Sequence, residues 1–142
     1  MIKNLVFDLG NVLIEWNSEK ILTSFEAEKE RRQLLRQVIF ESGVWHQTDK
    51  GELSLKEACD EVMVQLDDSY HSAVQNIFYN WYEVVEVYSG LQEQIGLWAD
   101  QGYRIYILST TCEIFYRIEK AGSLLIFPLL SGYILSSEVG VV

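Results

Sequence analysis

Proline is nearly missing from this sequence, with one in 142 residues, and that excludes a Pro-rich linker. Cysteine is scarce as well. Cys59 and Cys112 alone make no disulfide framework, so a reduced, cytoplasmic setting is expected. The two histidines, His46 and His71, stand far apart without companions, which argues against a histidine metal site. Basic residues are outnumbered, 11 Lys and Arg against 21 Asp and Glu. The net charge of −10 and pI near 4.6 argue against nucleic acid or an anionic membrane as partner. No run approaches the roughly 18 consecutive apolar residues of a membrane span, and no basic-then-apolar leader opens the chain. Internal repeats and low-complexity segments are absent too.

What is present is an ordinary globular composition, 49% apolar and 23% charged, enough for one domain or one domain with an insertion. Leu5, Val6 and Phe7 read as a strand buried on both faces of a parallel sheet. The strand ends in Asp8, then Gly10 and Asn11, which suit a tight turn. A carboxylate there needs a cation, hydrogen bonds or water to stay charged. At the carboxyl end of a parallel strand Asp8 is a candidate nucleophile or metal ligand. The alternative is an Asp that accepts from backbone N–H groups and caps its turn.

The next stretch reads as helix throughout. Asn17 or Ser18 caps a helix with Ile21, Leu22 and Phe25 on its apolar face. Residues 26–32 form a charged turn and exposed face, and Leu34, Leu35, Val38 and Ile39 continue a second helix that ends before Gly43. Residues 43–53 read as a loop with a short helical piece around Trp45 and His46. Ser54 and Glu57 fit a capping box ahead of Leu55, Ala58, Cys59, Val62, Met63 and Leu66 at helical spacing. A fourth helix is expected from about Ser69 to Val85. Residues 15–87 are thus expected to form a helical cap inserted into an α/β core made of 1–14 and 88–142.

The α/β pattern resumes with a helix carrying Leu91, Ile95 and Trp98 that stops at Gly102. Arg104 to Leu108 reads as a second buried strand, and Ser109, Thr110 and Thr111 lead into a helix with Thr111 as N-cap. A third strand is expected near Gly132 to Ser136. This order implies a Rossmann-like, three-layer parallel sheet. Hydroxyls that close a buried strand and open a helix are placed to bind phosphate, or simply to cap that helix. Cys112 reads as a small packing residue. Trp16, Trp45, Trp81 and Trp98 read as core or cap anchors, with Trp16 and Trp45 also candidates for a pocket wall.

Phe7-Asp8-Leu9-Gly10-Asn11-Val12-Leu13 resembles motif I of the haloacid dehalogenase superfamily, mostly phosphatases with an aspartate nucleophile and Mg²⁺. The resemblance implies that Asp8 attacks phosphorus and ligates Mg²⁺, with the Gly10 carbonyl as a further ligand. Gly10 stands where many relatives carry an Asp that acts as general acid, a replacement seen in the Asp-Leu-Gly-Asn branch. Ser109 matches the phosphate-binding hydroxyl of motif II, with Thr110 in a position where Asn is common. Thr110 and Asn11 are therefore further phosphate-binding candidates, and the backbone N–H groups of Leu9, Gly10 and Asn11 are offered to phosphate as well. Gly132 to Val142 resembles the approach to motif III, but no Lys-Pro follows. The only lysine beyond Ser109 is Lys120, mid-helix, and Glu113, Glu119 and Glu138 make no motif IV pair.

On this reading the chain covers the first part of a family member, truncated before motifs III and IV. A phosphatase acting on a small phosphorylated metabolite is expected, with turnover impaired by the missing charges. In the family fold the first strand is flanked by the second and by a fourth that this chain lacks. Residues 4–8 should then form an exposed edge, open to pairing in a homodimer. Two alternatives remain: a haloacid dehalogenase-type hydrolase needing no Mg²⁺, and a non-catalytic fragment or binding module.

Overall fold

The apolar run Leu5–Phe7 becomes β1 (Asn4–Phe7), which pairs in parallel with β2 (Arg104–Ser109), itself paired in parallel with β3 (Leu130–Leu135). The computed structural model describes residues 1–142. Its sheet order is β1-β2-β3, so β1 is an edge strand, as expected. Eight α-helices accompany the sheet, in an α/β arrangement.

Between β1 and α6 (Ser89–Asp100) the chain is helical. The helices are α1 (Ser18–Phe25), α2 (Lys29–Arg36), α3 (Val44–Lys50), α4 (Leu55–Met63) and α5 (His71–Asn80). Asn17 caps α1 by accepting from the Lys20 N–H. The capping box of α4 forms in both directions, Ser54 to the Glu57 N–H and Glu57 to the Ser54 N–H. Such a cap is worth about 1 kcal/mol. Leu35 and Ile39, fully buried, continue from α2 into a π-helical turn, Gln37–Glu41. Sequence periodicity reads that junction as one regular helix, because an inserted residue leaves the apolar spacing nearly intact. The expected helix over Ser69–Val85 is broken into a 3₁₀ turn, α5 and a second 3₁₀ turn at Trp81–Glu83.

Residues 43–53 differ more. They hold a full helix, α3, bounded by Gly43 and Gly51, both left-handed, with Val44 and Thr48 buried on its inner face. The two passages of the chain into and out of the helical segment bind each other. Ile14 bridges Val87 in antiparallel sense, the Glu15 N–H donates to the Glu86 carbonyl at 2.8 Å, and the Tyr88 N–H donates to Leu13 at 3.0 Å.

The remaining elements are α7 (Ile114–Lys120) and α8 (Ser136–Val139). Register puts Leu5, Phe7, Ile105, Ile107, Tyr133 and Leu135 on one sheet face. There Trp98 of α6 stacks on Phe7 at 6.1 Å, and Phe115 of α7 meets Tyr133 at 4.8 Å. The opposite face is bare. Val6 is 59% exposed, Leu108 55% and Ile134 52%. β1 is therefore not buried on both faces. The apolar run Leu5–Phe7 is unbroken, yet exposure alternates along Asn4–Phe7, because one side of the strand has no helix over it.

Candidate active site

The three parallel strands end at one rim. Phe7 lies level with Ile107 and Ser109 level with Leu135, so Asp8 follows β1 beside the end of β2. Asp8, Ser109, Thr110 and Thr111 line one cavity of about 280 Å³ together with Leu9, Gly10 and Asn11. The convergence of Asp8 and Ser109 at one rim, expected from two motifs far apart in the chain, is present. Ser109 is buried, and its hydroxyl has no hydrogen-bond partner within the chain. Thr110 is exposed at the mouth.

The turn after β1 is tightly wound. The Leu9 carbonyl accepts from the N–H groups of Val12, Leu13 and Ile14, and Asn11 adopts the left-handed conformation at φ 57°. One Asp8 carboxylate oxygen accepts from the Leu9 N–H at 2.7 Å. The turn-capping role and an outward-facing second oxygen thus coexist in one carboxylate. The Asn11 N–H donates to the Ile14 carbonyl at 2.7 Å, and the Asn11 side-chain oxygen accepts from the Trp16 N–H at 2.8 Å. One expectation needs correction here. The backbone N–H groups of Leu9 and Asn11 are committed inside the turn, so of the three only Gly10 offers a free N–H to an anion. Asn11 keeps only its carboxamide NH₂ for a ligand.

A divalent cation at this rim would find the second Asp8 oxygen and the Gly10 carbonyl, which accepts no hydrogen bond. No three His, Cys, Asp or Glu side chains cluster as a ready-made metal cage. One carboxylate, one carbonyl, water and a phosphate oxygen is a donor set that Mg²⁺ accepts. Lys120 lies at the exposed end of α7 rather than mid-helix, and it takes no part in the cavity.

Thr111 does not cap α7. That helix begins at Ile114, and Thr111 is buried with its N–H donating to the Ser136 hydroxyl at 3.0 Å. Ser136 Oγ in turn lies 2.5 Å from the Asp49 carbonyl, so the β2 loop, α3 and the start of α8 meet at one hydroxyl. Glu113 adds a second tie by accepting from the Leu55 N–H at 2.7 Å, at the start of α4. Cys112 lines the cavity, and burial pushes its thiol up to about 11, so it remains protonated and packs, as expected.

The far wall comes from the helical segment. Trp16, Trp45 and Trp81 line it, with Trp16 4.9 Å from Trp81 and 5.0 Å from Trp45 between ring centres. Asp49 lines it too, and sequence reasoning missed this residue. Its carboxyl has no hydrogen bond and no ion pair, and burial alone pushes its pKa up to about 7. A usable signal existed in the spacing, because Trp45 and Asp49 are four apart and so share one helix face.

No protein-family model and no curated protein matches this sequence. Solved structures do match. An HAD-family enzyme from Bacteroides thetaiotaomicron, BT-2542, in complex with magnesium and inorganic phosphate, superposes with a TM-score of 0.73 at 22% identity, over 100% of this chain and 72% of that one. This chain has the haloacid dehalogenase-like fold. A HAD-like family hydrolase from Porphyromonas gingivalis shares that fold at a TM-score of 0.68 and 22% identity, over 100% of this chain and 70% of that one. So does the L-2-haloacid dehalogenase of Xanthobacter autotrophicus with chloropropionic acid covalently bound, at 0.55 and 17%, over 99% of this chain and 59% of that one. In this fold Asp8 and Ser109, the residues that resemble motifs I and II, meet at one rim.

Proposed function

We propose that this chain is a Mg²⁺-dependent phosphatase of the haloacid dehalogenase-like fold, acting on a small phosphorylated metabolite. The supporting observation is the shared rim, where a carboxylate with one free oxygen and the unpartnered hydroxyl of Ser109 line one cavity. Asp8 attacks phosphorus and forms an aspartyl phosphate, which water then hydrolyses. Ser109, Thr110 and the Asn11 carboxamide hold phosphate oxygens, together with the Gly10 N–H. Mg²⁺ would sit on Asp8 and the Gly10 carbonyl, where it supplies charge neutralisation. Residues 15–87 serve as the cap, and their tryptophans wall the cavity. The volume of about 280 Å³ suits a compact substrate.

The setting we propose is cytoplasmic, in keeping with two free, buried cysteines. No helix is long and apolar enough to cross a membrane. We also propose that the unpaired β1 edge drives a homodimer; a concentration-independent monomer in size-exclusion chromatography would argue against it.

The direct test is phosphate release from an aryl phosphate with and without Mg²⁺, for the native chain and Asp8→Asn. Mg²⁺-dependent release that is lost in Asp8→Asn supports the reading. Metal-independent halide release from a 2-haloacid would replace it with dehalogenation, and inactivity on both would favour a binding module.

A further inference from the structure

The turn after β1 offers Asp8 no acidic neighbour, because Leu9, Gly10 and Asn11 carry no group that can give a proton to a leaving alkoxide. Of the carboxyl groups lining the cavity, only one besides Asp8 is present, and it belongs to Asp49 at the end of α3. Its surroundings are unusual for an aspartate. Lys50, beside it in sequence, turns away to Glu52 at 3.5 Å, and no cation or N–H contacts the Asp49 side chain. Trp81, 4% exposed, lines the same cavity with an indole N–H that has no partner. Two unpartnered polar groups of the helical segment thus share a cavity with the Asp8–Ser109 rim.

We propose that Asp49 is the catalytic acid, delivering its proton to the oxygen of the departing alcohol and taking a proton from water in the second step. The assignment rests on the phosphatase reading and deepens it. In the first step an Asp8 oxygen forms a bond to phosphorus, the ester P–O bond breaks, and the alkoxide takes the Asp49 proton. In the second step water attacks the aspartyl phosphate, its proton goes to the Asp49 carboxylate, and Asp8 and phosphate are released. The cycle returns both carboxyl groups to their starting state. Burial holds the Asp49 acid protonated to about pH 7, which makes it a proton donor at neutral pH. An acid matters only when the leaving group is basic, so the substrate class is a phosphate monoester of an alcohol rather than of a phenol or an acyl group.

The titratable groups around Asp49 do not compete for this role. Asp8 is committed to phosphorus, Cys112 stays a thiol, Glu113 is tied to Leu55, and Glu57 is tied to Ser54. On α8, Glu138 pairs with Tyr116, and Glu41 on the π turn and His46 on α3 are exposed.

The test compares native chain, Asp8→Asn and Asp49→Asn on ethyl phosphate, phenyl phosphate and 2,4-dinitrophenyl phosphate across pH 5 to pH 9. For Asp49→Asn we expect kcat/KM on ethyl phosphate to fall by about 10² to 10⁴ and on the dinitrophenyl ester by less than tenfold. The native alkaline decline, set near pH 7, should vanish in the variant. A ¹³C-carboxyl NMR titration of the native chain should show one aspartate titrating near 7 that is missing from Asp49→Asn, whose near-ultraviolet dichroism stays native-like. An equal loss on all three esters, or an unchanged alkaline limb, overturns the acid assignment while Asp8-dependent hydrolysis stands. If the native chain cleaves no ester and the dinitrophenyl ester gives no phenolate burst, the phosphatase reading falls and takes this assignment with it.

Discussion

Replacing Gly51 by alanine tests how the helical segment is seated on the sheet. Gly51 closes α3 at φ 75°, and a Cβ there would overlap the Ser137 carbonyl oxygen and lie 2.9 Å from its carbon. Gly43, at the other end of the same helix, has φ 93° and open space where its Cβ would be. Both substitutions carry the left-handed penalty of about 1–2 kcal/mol. Only Gly51→Ala adds a collision with backbone, about 1–3 kcal/mol more for overpacking that the neighbour cannot relieve by turning a side chain. At about 3–4 °C per kcal/mol for a chain of this size, Gly43→Ala should lower Tm by roughly 3–8 °C and Gly51→Ala by roughly 6–20 °C. Because Asp49 is two residues away, the displaced helix end should also cost phosphatase activity in Gly51→Ala but not in Gly43→Ala. Calorimetry reads the first effect and hydrolysis of ethyl phosphate the second. Equal Tm losses for the two variants would refute the close seating of α3 against α8.

Three further outcomes are expected. Ser136→Ala removes the acceptor of the buried Thr111 N–H and the donor to the Asp49 carbonyl, and should cost about 2–4 kcal/mol in urea unfolding. A loss below about 0.5 kcal/mol would mean that water replaces the hydroxyl. Asp49 has its folded pKa raised, so between about pH 4 and 7 the folded chain holds a proton that the unfolded chain has lost, and its stability falls as pH rises through that window. Asp49→Asn should therefore gain on the native chain between pH 5 and pH 8 in urea midpoints, and a pH-independent difference would count against a desolvated carboxyl. Finally, Gly10 is not left-handed and its Cβ would meet only Trp16 Cβ at 3.6 Å, so Gly10→Asp should fold normally. Added to Asp49→Asn, it should restore hydrolysis of ethyl phosphate at least about tenfold, within the range of one acid catalyst.

Much of this arrangement was legible in the residues. Apolar runs that end in Asp8 and in Ser109 mark strand ends, and parallel strands bring such ends to one rim without any knowledge of packing. The capping box at Ser54 and Glu57 is a local device and reads locally. The helix at Val44–Lys50 does not, because Gly43, Thr48, Asp49 and Gly51 all favour turns and only burial of Val44 and Thr48 makes them helical. Asp49 was hidden for the same reason, inside a polar run that looks solvated until the helix turns it inward. Thr111 was given the wrong partner, because its bond to Ser136 spans 25 residues and has no local trace. The bare side of β1 was equally invisible, since cover over a strand is supplied by chain far from it.

The hydroxyl of Ser136 has a consequence for biosynthesis. It joins a loop and a helix whose residues, Thr111 and Asp49, precede it by 25 and 87 positions. As the polypeptide leaves the ribosome, the tryptophan wall and the Asp8 turn can form early, yet their mutual placement waits for this late residue. A nascent chain stalled before position 136 should therefore show native-like helix content while failing to gather its polar groups around one anion, and ribosome-bound intermediates of increasing length would reveal that step as a late, abrupt gain in protease resistance.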